Sequence, residues 1–289
     1  MLRYLVIFLF FSFNLWASTL SVSSEPKEIY GEHQDNIKIR IGNGGAGPTG
    51  ILRVLSEDFI RHFDKDFSIA WYQDVSPRTL EQLKNGVIDI ALVYERDQAK
   101  KAYKEGWATN YKVIFNDHFI IVGPKHNPAA ISEHDSAPLA FRKIKSYSDA
   151  LGEPTFISRN DDSATNTKEK NIWRIVGYQP WQDIPNWYAT RNVFPKEALI
   201  YADRNKLYTI TDWGTWLSNS MHFENLQVLI MGSELLLNPC FGFLNINPSK
   251  ETQEFYSYLQ SERAQKIIAE FGVARLGKPL FTPANQPDF

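Results

Sequence analysis

The sequence predicts an α/β protein built as two lobes, with mostly parallel sheets and a ligand cleft between the lobes. Three observations carry this expectation. Short β-branched runs alternate with helix-periodic segments in the order βαβαβ, which calls for a parallel sheet with right-handed crossovers. The first of these strands runs into a glycine-rich turn, Gly42-Asn43-Gly44-Gly45-Ala46-Gly47-Pro48-Thr49-Gly50, that opens a helix. In the other half of the chain, Ser158-Arg159-Asn160-Asp161-Asp162-Ser163-Ala164-Thr165 repeats the device of strand, hydroxyl-rich turn and helix start.

At the N-terminus, Arg3 precedes an apolar run from Leu5 that ends at Ala17-Ser18. That run is shorter than the roughly 20 residues a bilayer span needs, and it closes on small residues, so 1–17 reads as a signal peptide. The sole cysteine, Cys240, lies far from this point and cannot carry a lipid there. It also excludes an intrachain disulfide, leaving stability to an ordinary core. Loss of 1–17 removes one arginine and no acid, leaving 30 basic against 33 acidic residues. Such a balance excludes a nucleic-acid-binding surface set by net charge. Residues 18–36 are polar and aperiodic and read as a loose leader.

The first lobe is expected over 37–118 plus 235–289. Its strand at 37–41 (Ile37, Ile39 and Ile41 alternating) leads to a helix near 50–64 and a strand at 68–72. A helix at 77–84 follows, with Leu80 and Leu83 on one face, and Asn85-Gly86 turns into an apolar strand at 87–94. Ligands of such sheets sit at the carboxyl ends of the strands, where the glycine-rich turn lies. The second lobe is expected over 119–234. The chain enters it along His118-Phe119-Ile120-Ile121-Val122-Gly123-Pro124. Helices near 140–151, 164–176 and 195–204 alternate there with strands at 155–157, 207–211 and 228–230. A strand at 241–246 and one long helix over 251–271 complete the chain.

Both turns have the chemistry of an anion cradle. Glycines permit positive φ and close backbone approach, and a helix start offers free N–H groups and the positive end of its dipole. A tetrahedral oxyanion presents only acceptors, so its site must be made of donors. In the first turn the candidates are Asn43, Gly44, Gly45 and Thr49; in the second they are Arg159, Ser163 and Thr165. Arg159 adds a forked donor charged at every relevant pH. Asp161 and Asp162 read as helix caps or as partners orienting Arg159, with an acceptor for a protonated oxyanion as the sharper alternative. Gly42-x-Gly44-x-x-Gly47 also matches a dinucleotide fingerprint, but Pro48 stands where a phosphate-binding loop needs lysine. The six histidines lack ligand spacing, no Gly-x-Ser-x-Gly frames a nucleophile, and no cofactor is implied. Tyr94, ending its strand, reads as either a cleft donor or a core residue.

Several words stand in a specific order: Asn116-Asp117…Phe119-Ile120-Ile121-Val122-Gly123-Pro124, Ser158-Arg159-x-Asp161-Asp162-Ser163-x-Thr165, Trp187-Tyr188, Tyr208-Thr209-Ile210-Thr211-Asp212-x-Gly214-Thr215 and Asn238-Pro239. In this the chain, from about residue 37 to 281, resembles the extracytoplasmic tungstate-binding proteins of ABC uptake systems, within the type II periplasmic-binding-protein fold. The resemblance implies that Arg159 and Thr165 hold the oxyanion. Gly42-Asn43-Gly44-Gly45 stands where the family typically has Thr-Thr-Thr-Ser, Trp213 where it usually has arginine, and Ala164 where it has glycine. The first lobe is then left with backbone N–H groups, Asn43 and Thr49, as in a divergent branch marked by this Gly-Gly-Ala-Gly turn. The expectation is an exported, monomeric solute-binding protein, periplasmic or secreted, and not an enzyme. It takes tungstate or molybdate and passes it to an ABC permease. The alternatives are a phosphate or sulfate binder, or an exported enzyme acting on a phosphate or dinucleotide.

Overall fold

The protein was analysed as a computed structural model that describes residues 25–94, 96–161 and 163–286. The expected signal peptide and the first part of the leader lie outside them. Strand β1 (Glu28–Tyr30) falls within the segment expected to be a loose leader. Three residues are too few to show a period, yet Tyr30 is 1% exposed and the strand pairs antiparallel with β3 at the sheet edge. Strand β2 (Ile37–Gly42), helix α1 (Ile51–His62), strand β3 (Ser68–Tyr72), helix α2 (Ser76–Lys84) and strand β4 (Ile90–Val93) form the βαβαβ unit. Here β2 lies between β3 and β4 and is parallel to both. Period-two alternation sends Ile69, Trp71, Ile90 and Leu92 to one face, under α1 and the C-terminal helices. Ala70, Tyr72, Ala91 and Val93 go to the other, under Leu80 and Leu83 of α2. Covering both faces explains why these strands are apolar throughout.

Helix α3 (Arg96–Lys104) was not evident in the sequence because its mostly charged and polar sequence masks its apolar contact, the fully buried Ala102. Strand β5 (Thr109–Pro124) is far longer than expected. Its first half belongs to the first sheet, and from Phe119 it pairs with β8 (Thr209–Asp212) and β9 (Leu226–Ile230). Helix α4 (Ala137–Leu151), strand β6 (Phe156–Ser158), helix α5 (Ala164–Val176), helix α6 (Pro180–Asp183), strand β7 (Tyr188–Thr190), helix α7 (Pro195–Asn205) and helix α8 (Trp213–Asn219) complete this part. Strands β6 and β7 are parallel, and Phe156 bridges in parallel to Tyr208 beside β8. Phe141, Phe156, Trp173 and Tyr188 fill one side, and Ile120, Ile157, Leu199 and Leu207 the other.

The chain returns along β10 (Leu237–Leu244), which inserts between β4 and β5. Among the described residues parallel pairing is therefore confined to β2, β3, β4, β6 and β7 and the Tyr208 bridge. The chain leaves the first sheet on β5 and comes back on β10, so these two run in opposite directions and pair antiparallel. The single helix expected over 251–271 is two, α9 (Lys250–Leu259) and α10 (Glu262–Glu270). Ser261 lies between them in extended conformation and accepts a hydrogen bond from Ala264 N–H at 3.3 Å, capping the second helix. Helix α11 (Val273–Leu276) and strand β11 (Thr282–Pro283) follow, the latter pairing with β5 at Asn116. Among the described residues no helix is long and apolar enough to cross a membrane.

Candidate functional site

At the carboxyl end of β2 the chain must turn sharply under α1, and Asn43 holds it there. Its Oδ1 accepts from Ala46 N–H and Gly47 N–H at 2.9 Å each, and its Nδ2 donates to Leu92 O at 2.9 Å. Trp71 Nε1 donates to Asn43 O at 2.9 Å. Asn43 is fully buried. Both ends of its amide are thus spent on backbone, which makes it the pin of the turn rather than a free donor. Thr49 is spent as well. Its hydroxyl donates to Ala46 O at 2.6 Å, accepts from Ile51 N–H, and lies in a groove toward Ile267 and Phe271.

What remains open on this side is backbone. Gly44 N–H and Gly45 N–H have no partner among the described residues. Neither glycine has positive φ, contrary to the sequence expectation. Glycine is demanded by space instead: a Cβ on Gly47 would lie 1.9 Å from the Trp71 indole, and one on Gly44 would lie 2.6 Å from Asp74 O. Beside the turn, at the carboxyl end of β3, α2 starts at Ser76, whose N–H has no partner among the described residues and whose hydroxyl accepts from Tyr94 N–H at 3.3 Å. Ser76 carried no sequence signal beyond preceding Pro77.

The second turn sits at the carboxyl end of β6. Asn160 adopts φ 45°, a conformation asparagine tolerates, which reverses the chain toward α5. Asp161 organises the turn: one oxygen is bonded by Arg159 Nη2 and the other accepts from Ser163 Oγ at 2.7 Å and Ser163 N–H at 3.2 Å. Arg159 Nε donates to Val193 O at 3.0 Å. Ser163 caps α5 by accepting from Asn166 N–H. Asp162 lies outside the described residues. Thr165 is mostly buried, and neither its hydroxyl, its N–H nor the N–H of Ala164 has a partner among the described residues. Arg159 and Asp161 line a cavity of about 360 Å³ together with Asn192, Val193, Phe194 and Glu197.

Beneath this turn, Glu169 went unnoticed in the sequence. It is 1% exposed and accepts from Ser158 Oγ at 2.7 Å, Tyr188 OH at 2.6 Å and Asn166 Nδ2 at 3.3 Å. It thereby ties the end of β6 and the start of α5 to β7. Burial pushes its carboxyl from 4.5 up to about 7, against the lowering effect of those three donors. The linkage is unfavourable to folding. Below the unfolded value both states hold the proton; from there to about 7 only the folded state does, so stability falls as pH rises through this window. Glu169→Gln, uncharged throughout, is expected to flatten that slope in urea unfolding measured from pH 4.5 to 8. An unchanged slope would show the carboxylate to be ionised in the fold.

Where β5 passes between the two sheets, Asp117 accepts from His118 N–H at 2.7 Å. Burial first, and the Asp212 carboxylate second, push Asp117 up to about 8, so near neutrality it mostly keeps its proton. Asp212 caps α8 through Thr215 N–H and Oγ1. Tyr94 OH is buried beside Cys240 and these two acids, with no hydrogen-bond partner among the described residues. Lys168, one turn into α5, donates to Leu237 O at 3.0 Å and lies 5.7 Å from the Phe119 ring centroid. Trp213 is buried and donates to Pro279 O at 2.9 Å.

A family model described as a PBP superfamily domain matches residues 30–263. A Haloferax volcanii protein described as a candidate anion-binding protein of an ABC transporter is 34% identical over 83% of this chain and 71% of its own. The tungstate-binding protein TupA of Peptoclostridium acidaminophilum is 30% identical over 81% of each chain. Among solved structures, a periplasmic protein described as a candidate metal-binding protein superposes with a TM-score of 0.79 at 32% identity, covering 89% of this chain and 99% of that one. The tungstate-binding protein TupA of Desulfovibrio alaskensis G20 does so with a TM-score of 0.76 at 26% identity, covering 86% and 98%.

Proposed function

Because the chain belongs to the PBP superfamily, a family of solute-binding proteins, we propose that it captures a tetrahedral oxyanion, tungstate or molybdate, for delivery to an ABC permease. On this reading the protein is exported and works as a binder without turnover. The observation that carries it is the matched pair of donor sets. Gly44, Gly45 and Ser76 on one side, and Ala164 and Thr165 on the other, present N–H groups with no intramolecular partner among the described residues. Helix starts of this kind favour anions. Arg159, with Nε on Val193 O and Nη2 on Asp161, adds its Nη1 donors, which have no partner among the described residues. The domain limits proposed are 37–118 with 235–289, and 119–234.

One detail supports a fully deprotonated dianion over hydrogen phosphate. A protonated oxyanion needs an acceptor, and both oxygens of Asp161 are already engaged within the turn. A thermal-unfolding panel of tungstate, molybdate, sulfate, phosphate and carboxylates tests the reading. At a free concentration about 100 times Kd, linkage predicts stabilisation of about 2.7 kcal/mol by the cognate ligand. Tungstate and molybdate are expected to shift the transition. A shift by phosphate or sulfate alone would move the protein to that class, and no shift with any oxyanion would refute the reading.

A further inference from the structure

Resting on the oxyanion reading, we propose that Lys168 is a direct contact of the bound anion and supplies the positive charge that the Arg159 turn does not. Lys168 follows Thr165 by three residues on α5, so the two share a helix face. Helical side chains lean toward the N-terminus, which carries the lysine stem back over the turn that holds Thr165. Its ammonium ends at the crossover between the lobes, bonded to Leu237 O at 3.0 Å and near the ring of Phe119. One acceptor is engaged and two N–H donors are left.

Charge makes the stronger case. Arg159 is paired with Asp161, a couple of zero net charge. Lys168 has no carboxylate partner among the described residues, although burial depresses its ammonium below the ordinary lysine range. A partly desolvated cation lacking a counter-charge is costly unless an anion completes it. On the oxyanion reading, the free donors at the start of α5 hold the anion about one helical turn from the Lys168 backbone. In this arrangement Arg159 and the helix N–H groups shape the ligand, while Lys168 sets its charge and favours dianions over monoanions.

The competing role is structural: the bond to Leu237 O ties α5 to β10 and could serve only as a strut. Titration calorimetry with sodium tungstate separates the two. Lys168→Met is expected to weaken binding about 30-fold or more, as removal of one partner of a desolvated charge pair does. Lys168→Arg should recover part of that, and both ligand-free variants should unfold near the wild-type temperature. Wild-type affinity in Lys168→Met with a lowered unfolding temperature would overturn the proposal and leave the strut. Should the Met variant not fold, reductive methylation of wild-type protein read by mass spectrometry decides. Lys168 should be protected by tungstate, and equal labelling with and without it overturns the contact. If the wild type binds no oxyanion at all, the oxyanion reading falls and this proposal with it; tungstate binding that ignores Lys168 sinks the proposal alone.

Discussion

Arg159→Ala is expected to weaken oxyanion binding by about 2–5 kcal/mol, thirty-fold or more, while the protein stays folded. Two losses add. The forked guanidinium disappears, and Asp161, whose Oδ2 it bonds, is left as an uncompensated carboxylate beside the anion. Stability should fall as well, because the bonds to Val193 O and Asp161 are lost and the stranded carboxylate is only 11% exposed, but Ser163 still holds Asp161 in the turn. Arg159→Lys should restore charge without the fork and recover only part of the affinity. Combining Arg159→Ala with Asp161→Asn should bind better than Arg159→Ala alone if the stranded carboxylate is half of the effect. Calorimetry alongside thermal unfolding reads all three variants. Unchanged affinity for Arg159→Ala would show that Arg159 only fastens the turn to Val193.

The strand–turn–helix logic was legible because it rests on local signals: β-branched runs, glycine clusters and capping residues. It located both turns, and the structure places helix starts at 51 and 164 behind them. What escaped was long-range. The span of β5 across two sheets follows from its pairing with β10, β8 and β9, which no local pattern records. Glu169 and Lys168 follow Thr165 at helical spacing, but the one is singled out by burial under Tyr188 and the other by its reach to Leu237. Asn43 was visible as a polar residue in a glycine-rich turn, and its type suits both a ligand donor and a turn pin. Only the positions of Leu92 O and Gly47 N–H decide between these. The same holds for glycine: the sequence shows where Cβ atoms are missing, but the Trp71 indole and Asp74 carbonyl supply the reason.

Asn43→Ala is expected to be the damaging change. It strands three buried backbone groups, Ala46 N–H, Gly47 N–H and Leu92 O, in a place no water reaches. An unsatisfied buried group costs about 1–3 kcal/mol, so the loss should be on the order of 3–5 kcal/mol. Because the turn aims Gly44 and Gly45 N–H, affinity should fall together with stability. Gly45→Ala should be close to neutral in stability, since its Cβ meets only the Tyr94 ring at 3.6 Å and the backbone there has ordinary φ. Any affinity it loses then reports the methyl group obstructing an anion at Gly45 N–H. Gly44→Ala lies between, because its Cβ must move away from Asp74 O. Urea unfolding and tungstate calorimetry of the three variants test the order. If Asn43→Ala unfolds like wild type while Gly45→Ala is strongly destabilised, the glycines and not the asparagine hold the turn.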